Sequence, residues 1–169
     1  WLVDMWMQTG KPDKVNLVEL GPGRGTMAAD IMRTVKLWPD FKSAVTLHLV
    51  ETSPRLRDIQ AKALKNYDVK WYDRFEDVPE GTCYVIANEF FDALPIHQFE
   101  KVDKEWKERR VGYDSEKNSL YFTTAPLNFN ITGLMPEDFL NAPSGSIFEG
   151  SPASLGILEA IADRVARYG

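Results

Sequence analysis

The sequence predicts an α/β fold in which a parallel sheet carries helices on both faces and is followed by an antiparallel β insert. Up to Pro95, short apolar runs rich in β-branched residues alternate with segments of helical periodicity, which is typical of parallel strands joined by helices. After Pro95, the apolar runs are joined by charged turns instead, which favours antiparallel hairpins.

Composition narrows the class of protein. The chain has 169 residues, 44% of them hydrophobic and 27% charged, which fits one globular domain with a sizeable core. Its net charge of −5 argues against a nucleic-acid partner, and no apolar run reaches membrane-spanning length. A single cysteine, Cys83, excludes an internal disulfide. With only two histidines, we expect no metal site.

The first 95 residues are predicted to form the cofactor-binding core. Its predicted elements are a helix at 1–8, strands at 15–20, 45–50, 69–72 and 82–87, and helices at 25–37 and from Ser53 onward. Trp38-Pro39-Asp40 is expected to end the helix that begins at Gly25. Ser53 is the predicted N-cap of the next helix, with Pro54 at its first position. That helix is expected to bury Leu56, Ile59 and Ala63.

The remainder divides into an insert at 96–148, expected to face the substrate, and a returning helix of the core at 149–169. Strands are predicted at 96–102, 106–113 and 120–123, followed by an irregular segment at 126–146. The last helix begins at Ser151-Pro152 and is expected to end at a Gly169 cap. Its predicted apolar face holds Leu155, Leu158, Ala162 and Val165. A parallel sheet would normally return to another strand here, so we expect the sequence to be a fragment of the fold.

The segment from Val15 to Gly25, VNLVELGPGRG, predicts a nucleotide-type cofactor site. Gly21, Gly23 and Gly25 follow a strand at every second position and precede a helix, so bare backbone N–H groups are expected beside a helix N-terminus. Dinucleotide enzymes favour G-x-G-x-x-G, whereas the spacing here is G-x-G-x-G. With Glu19 two residues upstream, the segment resembles the first motif of class I S-adenosylmethionine-dependent methyltransferases.

Two acids follow the next strands along the chain. Ligands of open parallel sheets bind beyond the carboxyl ends of the strands, so residues at these positions are candidates for cofactor contacts. Glu51 could accept hydrogen bonds from both ribose hydroxyls of an adenosyl group, or it could cap a helix at the surface. Asp73 could accept from an adenine amino group, and an ordinary turn aspartate is an equal alternative.

The loop after the fourth strand, Asn88 to Pro95 (NEFFDALP), is the candidate transfer site. It places Asn88, Glu89 and Asp92 beside two phenylalanines, directly after a buried strand. One interpretation is a loop that grips the substrate, and the other is a pair of core phenylalanines with acids capping a turn.

Four segments, VELGPGRGT, LHLVETSPRL, IANEFFDALPIHQF and GSPASL, resemble the MidA family. These are mitochondrial and bacterial class I methyltransferases whose eukaryotic members help to assemble respiratory complex I. The resemblance implies a Rossmann-like sheet, S-adenosyl-L-methionine as cofactor, and methylation of an arginine in a complex I subunit. It implies the mitochondrial matrix as the location, or the cytoplasm for a bacterial protein.

By match of motif, the resemblance implies that Gly21, Gly23, Gly25 and Glu51 hold the cofactor, with Asn88, Glu89 and Asp92 at the transfer site. Glu89 and Asp92 would then pair with two guanidinium nitrogens and direct the third at the methyl group. Two alternatives remain open. One is a non-catalytic complex I assembly factor that uses the fold as a docking surface, and the other is a dinucleotide-dependent oxidoreductase. The sequence leaves the oligomeric state open.

Overall fold

The computed structural model describes residues 1–127, 133 and 135–168. The chain forms two compact units, one made of Trp1–Ala93 and Gly156–Gly169, the other of Leu94–Leu155. The predicted cap at Gly169 lies outside the described residues. Within the described part of the chain, no helix combines the length and the apolar character needed to cross a membrane.

The secondary structure follows the predicted order with additions. The helices are α1 (Leu2–Gln8), α2 (Thr26–Thr34), α3 (Pro39–Ala44), α4 (Pro54–Ala63), α5 (Glu137–Leu140) and α6 (Pro152–Tyr168). The strands are β1 (Val15–Leu20), β2 (Val45–Val50), β3 (Val69–Tyr72), β4 (Cys83–Ala87), β5 (His97–Val102), β6 (Glu105–Asp114), β7 (Ser119–Pro126) and β8 (Ile147–Gly150). Short 3₁₀ turns lie at Val35–Leu37, Phe75–Asp77 and Phe91–Ala93.

The first unit is built on a four-stranded sheet in the order β3-β2-β1-β4, with every pair parallel. Alternate side chains of β1 enter separate core clusters, because successive residues of a strand point to opposite faces. Leu17 joins one cluster with side chains of α1, α2 and α3, whereas Val18 joins the other with Phe75 and α6. The predicted parallel sheet with helices on both faces is therefore confirmed.

Helix α3 follows directly after the predicted end of the preceding helix and was not expected from the sequence. Trp38 leaves the helical region at φ −127° and ψ 85°, and Pro39 occupies the first turn of a new helix. The fixed φ of proline suits a first turn, where no backbone N–H is needed. Phe41 of α3 is fully buried and contacts Trp6 at a ring distance of 5.5 Å. The preceding helical segment therefore ends at Leu37, as predicted, whereas the new helix that begins at Pro39 was not expected.

Helix α4 begins as predicted but buries a different stripe. The Ser53 hydroxyl accepts a hydrogen bond from the Leu56 N–H at 3.3 Å, which confirms the predicted N-cap. Ala63, however, is exposed, while Gln60 and Leu64 are buried completely or nearly so. Leu56 and Ile59 are half-buried, and the fully buried positions are Gln60 and Leu64, four residues apart.

The second unit contains an antiparallel sheet in the order β7-β6-β5-β8. Its core gathers Phe99 and Trp106 with Met135 and Phe148. The three predicted strands are confirmed, but β8 was not expected. Phe148 lies opposite Phe99 on β5, and this pairing gives the short strand its apolar contact. The segment expected to be irregular also contains α5.

Helix α6 packs through the stripe that the sequence analysis did not select. Ile157, Ala160, Ile161 and Arg164 face the first unit's second core cluster or its edge. The predicted apolar face is exposed: Leu155, Leu158 and Val165 each keep more than 40% of their surface accessible, at 42%, 47% and 46%. Both stripes have helical spacing, so periodicity alone could not distinguish them.

Candidate functional site

The register of the parallel sheet aligns the ends of its four strands. Leu20 pairs with both Val50 and Ala87, and Val50 pairs with Tyr72. The residues that come next therefore start from one edge of the sheet, and they are Gly21, Glu51, Asp73 and Asn88. All four were selected from the sequence.

The three positions of the turn favour glycine for different structural reasons. Each has a positive φ, 59° at Gly21, 55° at Gly23 and 77° at Gly25. A Cβ on Gly21 would lie 2.7 Å from the Phe90 ring, and one on Gly25 would lie 3.3 Å from Gln60 Cγ. A Cβ on Gly23 would meet no atom within 4 Å, so the open side of the turn is at Gly23.

The backbone of the turn is less bare than the sequence suggested. The Gly21 N–H donates to Val50 O at 3.0 Å, and the Gly25 N–H donates to Pro22 O at 2.8 Å. The expectation of free N–H groups is therefore wrong for these two glycines, since the sheet and the tight turn use them. The approach of a ligand is left to the middle of the turn, around Gly23.

Glu51 is buried at the end of β2 and is held by neutral donors. Its Oε1 accepts from the Ser53 N–H at 2.8 Å, and its Oε2 accepts from Gln60 Nε2 at 3.3 Å. Arg57 donates a hydrogen bond to the backbone carbonyl of Glu51 at 2.7 Å, rather than to the Glu51 carboxylate. Within the described residues, no cation forms an ion pair with the Glu51 carboxylate. A carboxylate offers about four acceptor positions, so each oxygen keeps one for a ligand.

Glu19 lies on β1 just before the turn and is 3% exposed. Burial raises the pKa of its carboxyl to about 7, and a hydrogen bond from the Ala28 backbone partly opposes the rise. Among the described residues, its Oε2 is buried without a hydrogen-bond partner. A buried acceptor without a donor costs free energy, so this oxygen is suited to a cationic or N–H-bearing ligand.

Asp73 is exposed and forms an ion pair with Arg57, at 2.7 Å between Oδ1 and the guanidinium. Arg57 also donates to the Glu51 carbonyl, so it ties the end of β3 to the end of β2. The structure thus gives Asp73 a protein partner at this edge. One oxygen of its carboxylate remains outside that pair.

The loop after β4 packs its two phenylalanines against the core, as one of the two interpretations expected, and leaves its polar side chains exposed. Phe90 and Phe91 pack edge to face at 5.3 Å and join the core cluster beneath the loop. Asn88, Glu89 and Asp92 remain exposed. Glu89 has φ +50°, a left-handed conformation that is unusual for a residue with a side chain. Packing by the aromatic pair therefore fixes a loop that presents its acids to solvent.

Gln60 is the residue that sequence reasoning missed. It lies on α4, is 0% exposed, and contacts Gly23, Glu51 and Trp71 through hydrogen bonds. Its spacing could have indicated that it is buried, because Gln60 lies four residues from both Leu56 and Leu64 on an otherwise apolar helical stripe. A polar residue on a buried stripe requires partners.

Two other features of the first unit stand apart from this site. His48 lies within the sheet, where its ring nitrogens contact the Tyr72 hydroxyl at 3.2 Å and Asn16 Oδ1 at 3.0 Å. Both ring nitrogens of His48 therefore have partners within the sheet, which gives this side chain a structural role. An apolar groove of about 760 Å³ runs between α1 and α2, and neither Gly23 nor Glu51 lines it. Within the described residues, no cluster of side chains could hold a metal ion.

A family comparison identifies the group to which these residues belong. The whole chain, residues 1–169, matches the family described as "Putative S-adenosyl-L-methionine-dependent methyltransferase". The chain belongs to this family. The match confirms the MidA-family resemblance, which rested on four segments that include the glycine turn and the loop after β4.

Relatives of this MidA-family chain carry a more specific name. It is 34% identical over 194 residues to the mitochondrial protein arginine methyltransferase NDUFAF7 of Xenopus tropicalis, covering 100% of the chain and 44% of that protein. The human protein of the same name is 32% identical over 194 residues, covering 100% of the chain and 43% of its own length. The chain therefore spans less than half the length of these curated relatives.

A solved structure supports the fold of this MidA-family chain. It is the crystal structure of a protein from Burkholderia thailandensis, described as a likely methyl transferase, bound to S-adenosyl-homocysteine. It superposes with a TM-score of 0.69 at 21% sequence identity, covering 96% of the chain and 41% of the solved protein. At this identity the likeness establishes the fold, and it confirms the predicted class I methyltransferase-like α/β architecture.

Proposed function

We propose that this chain forms the cofactor-binding part of an S-adenosyl-L-methionine-dependent protein arginine methyltransferase. The observation that carries the proposal is the Glu51 carboxylate. It is buried at the end of β2, without an ionic partner among the described residues, and it has one acceptor position left on each oxygen. That arrangement suits the two adjacent hydroxyls of a ribose.

The residues of the turn support the same cofactor. Open space at Gly23 would admit the amino-acid tail, while Gly21 and Gly25 shape the turn from either side. The unpartnered Glu19 oxygen would accept a hydrogen bond from the cofactor's ammonium group. Asp73 is proposed to accept from the adenine amino group with the oxygen that Arg57 leaves free. When bound, the cofactor supplies a methyl group made electrophilic by its sulfonium.

We assign the substrate-binding role to Asn88, Glu89 and Asp92. An arginine guanidinium is delocalised and remains protonated, which makes it a poor nucleophile. Two carboxylates that pair with it would fix its plane, direct one nitrogen, and provide an acceptor for the released proton. Glu89 and Asp92 are exposed, and no described cation pairs with either. Positioning of this kind can contribute about 7–11 kcal/mol at most.

The proposed substrate is a respiratory complex I subunit in the mitochondrial matrix. Support comes from the relatives, which are named as mitochondrial protein arginine methyltransferases, and from the MidA resemblance. We propose that the insert at 96–148 contacts this substrate. Its β6–β7 hairpin exposes large apolar side chains, among them Tyr113, Leu120 and Phe122, which suits contact with a protein.

The function is tested by cofactor binding and by methyl transfer. We expect S-adenosylhomocysteine to bind the full chain in calorimetry, and labelled methyl groups to reach arginine in a complex I subunit. Binding of NAD instead would support an oxidoreductase, and cofactor binding without transfer would support a non-catalytic assembly factor. Either result would overturn the proposal.

Substitution tests the two acids. Glu89→Gln and Asp92→Asn should each lower kcat by about 10²-fold or more, because guanidinium pairing and proton acceptance are lost. The affinity for S-adenosylhomocysteine should stay unchanged, since neither residue is assigned to the cofactor. Glu159→Gln, at an exposed acid on α6 to which no role is assigned, is the matched control. Unchanged transfer in both variants would remove these acids from the mechanism.

A further inference from the structure

Gln60 has every polar atom of its side chain satisfied in a fully buried position. Its Nε2 donates to Gly23 O at 2.8 Å and to Glu51 Oε2 at 3.3 Å. Its Oε1 accepts from Trp71 Nε1 at 2.9 Å. A primary amide has two N–H donors, and both are used here. The side chain therefore connects α4 to the glycine turn, to the end of β2 and to β3.

The Trp71 contact fixes which way the amide faces. An indole nitrogen can only donate, so the Gln60 oxygen must face Trp71. The amide nitrogen must then face the two acceptors, Gly23 O and the Glu51 carboxylate. An amide turned the other way would set its oxygen against two acceptor oxygens and leave the indole N–H without a partner.

The Gln60 contact also determines what Glu51 can offer a ligand. With Ser53 N–H on one oxygen and Gln60 on the other, the carboxylate is held at both ends. Each oxygen keeps about one acceptor position. Without Gln60, Oε2 would lose the one donor it has among the described residues, and only the Ser53 N–H would then hold the carboxylate.

Gln60 supports the glycine turn from below as well. Its Cγ lies 3.3 Å from the position that a Gly25 Cβ would occupy. Its amide nitrogen donates a hydrogen bond to the Gly23 carbonyl. The turn follows β1 and Glu51 follows β2, so one side chain sets the spacing between the two parts of the site.

We propose that Gln60 is a positioning residue that holds the glycine turn and the Glu51 carboxylate in the arrangement that receives a ribosyl cofactor. This inference rests on the proposed function, because it assumes that Glu51 binds the ribose hydroxyls. Preorganisation of this kind raises affinity by reducing the ordering that binding would otherwise require. It should also determine how strongly the site distinguishes ligands that carry the hydroxyls from ligands that lack them.

The test compares two ligands, S-adenosylhomocysteine and its 2′,3′-dideoxy analogue, by calorimetry on the full chain. Gln60→Met keeps the length of the side chain and removes both donors. We expect it to weaken S-adenosylhomocysteine binding about tenfold. We expect the preference of the wild-type protein for the hydroxyl-bearing ligand to shrink in the variant, as a double-mutant cycle would reveal. General loss of stability would not reduce that preference.

Two further variants keep the test decisive. Trp71→Phe removes the N–H that orients the amide together with part of the indole ring, and it leaves both Gln60 donors in place. It should therefore reduce affinity and hydroxyl preference in the same direction but less. Asn16→Leu is the matched control, because Asn16 is an amide bonded to His48 and to Pro79 O at the start of β1. It should lower stability and leave both affinities unchanged.

The outcomes separate the two proposals. If the wild-type protein does not bind S-adenosylhomocysteine, the proposed function fails, and this inference fails with it. If the wild-type protein binds it, but folded Trp71→Phe and Gln60→Met proteins keep the full hydroxyl preference, then only the positioning role of Gln60 is wrong.

Discussion

Two buried carboxylates at the ends of adjacent strands have different environments. Glu51 receives a donor on each oxygen, whereas Glu19 retains a buried oxygen with no partner among the described residues. The difference follows from position, because Glu51 precedes a helix N-terminus and Glu19 is enclosed between strands. The two acids therefore respond differently to substitution and to pH.

Loss of the Glu51 charge should weaken cofactor binding. Glu51→Gln replaces an acceptor oxygen with an NH₂ group that opposes the donors of Ser53 or Gln60. We expect the binding free energy for S-adenosylhomocysteine, measured by calorimetry, to become less favourable by about 1–3 kcal/mol. Glu159→Gln again serves as the control and should bind normally. An unchanged affinity in Glu51→Gln would place this side chain outside the site.

Glu19 should make stability depend on pH. Its folded-state pKa of about 7 exceeds the ordinary value of 4.5, so the native state holds the proton more tightly than the unfolded chain. The free energy of unfolding should therefore fall as pH rises from about 4.5 to about 7. Glu19→Gln cannot titrate, so its stability relative to the wild-type protein should increase by about 1–3 kcal/mol over that range.

Urea denaturation of both proteins at pH 5 and at pH 8 measures this effect. A difference in unfolding free energy that stays constant between the two pH values would contradict the raised pKa. Added S-adenosylhomocysteine should reduce the difference at pH 8, because its ammonium would offset the cost of the buried carboxylate.

At the scale of the element, the glycine turn combines two requirements that a sequence motif does not separate. Gly21 makes room for the Phe90 ring and Gly25 makes room for Gln60, so both serve packing within the unit. Gly23 alone of the three has open space where its Cβ would lie. The motif as a whole was predicted from the sequence. Which glycine serves packing and which leaves open space depends on side chains far along the chain.

Alanine substitutions should separate these roles. The strain of an alanine at positive φ alone costs about 1–2 kcal/mol. Gly21→Ala also places a Cβ 2.7 Å from the Phe90 ring, so it should destabilise the protein by more than that amount. Gly23→Ala meets no neighbour, so its stability loss should be limited to that strain, while its affinity for S-adenosylhomocysteine should fall. Thermal unfolding and calorimetry measure the two quantities, and equal stability losses would contradict this assignment.

For the whole molecule, the faces that α6 buries and exposes follow from its contacts with the rest of its unit. Arg164 donates to Val78 O at 2.8 Å and to Pro79 O at 3.1 Å, and its guanidinium lies 4.6 Å from the Phe75 ring. These contacts place Ile157 and Ile161 against the core cluster. The competing stripe, which includes Leu158, is exposed for that reason.

Truncation of one residue from each stripe tests which face is packed. Ile161→Ala should lower the free energy of unfolding by about 1–3 kcal/mol, because it removes buried contacts. Leu158→Ala, at 47% exposure, should change it by about 0.5 kcal/mol or less. Urea denaturation under identical conditions compares the two. A larger loss in Leu158→Ala would mean that the other face is the packed one.

The strands along the chain, their parallel pairing and the sheet edge at which Gly21, Glu51, Asp73 and Asn88 meet could all be predicted from the sequence alone. Local signals were sufficient for these, because apolar runs, turn glycines and helix caps act over a few residues. The buried face of α6, the extra strand β8 and the hydrogen bonds of Gln60 became evident only in the folded chain. Each of these depends on partners distant in sequence, and a glutamine or an apolar stripe looks the same from the sequence whether or not such a partner is present.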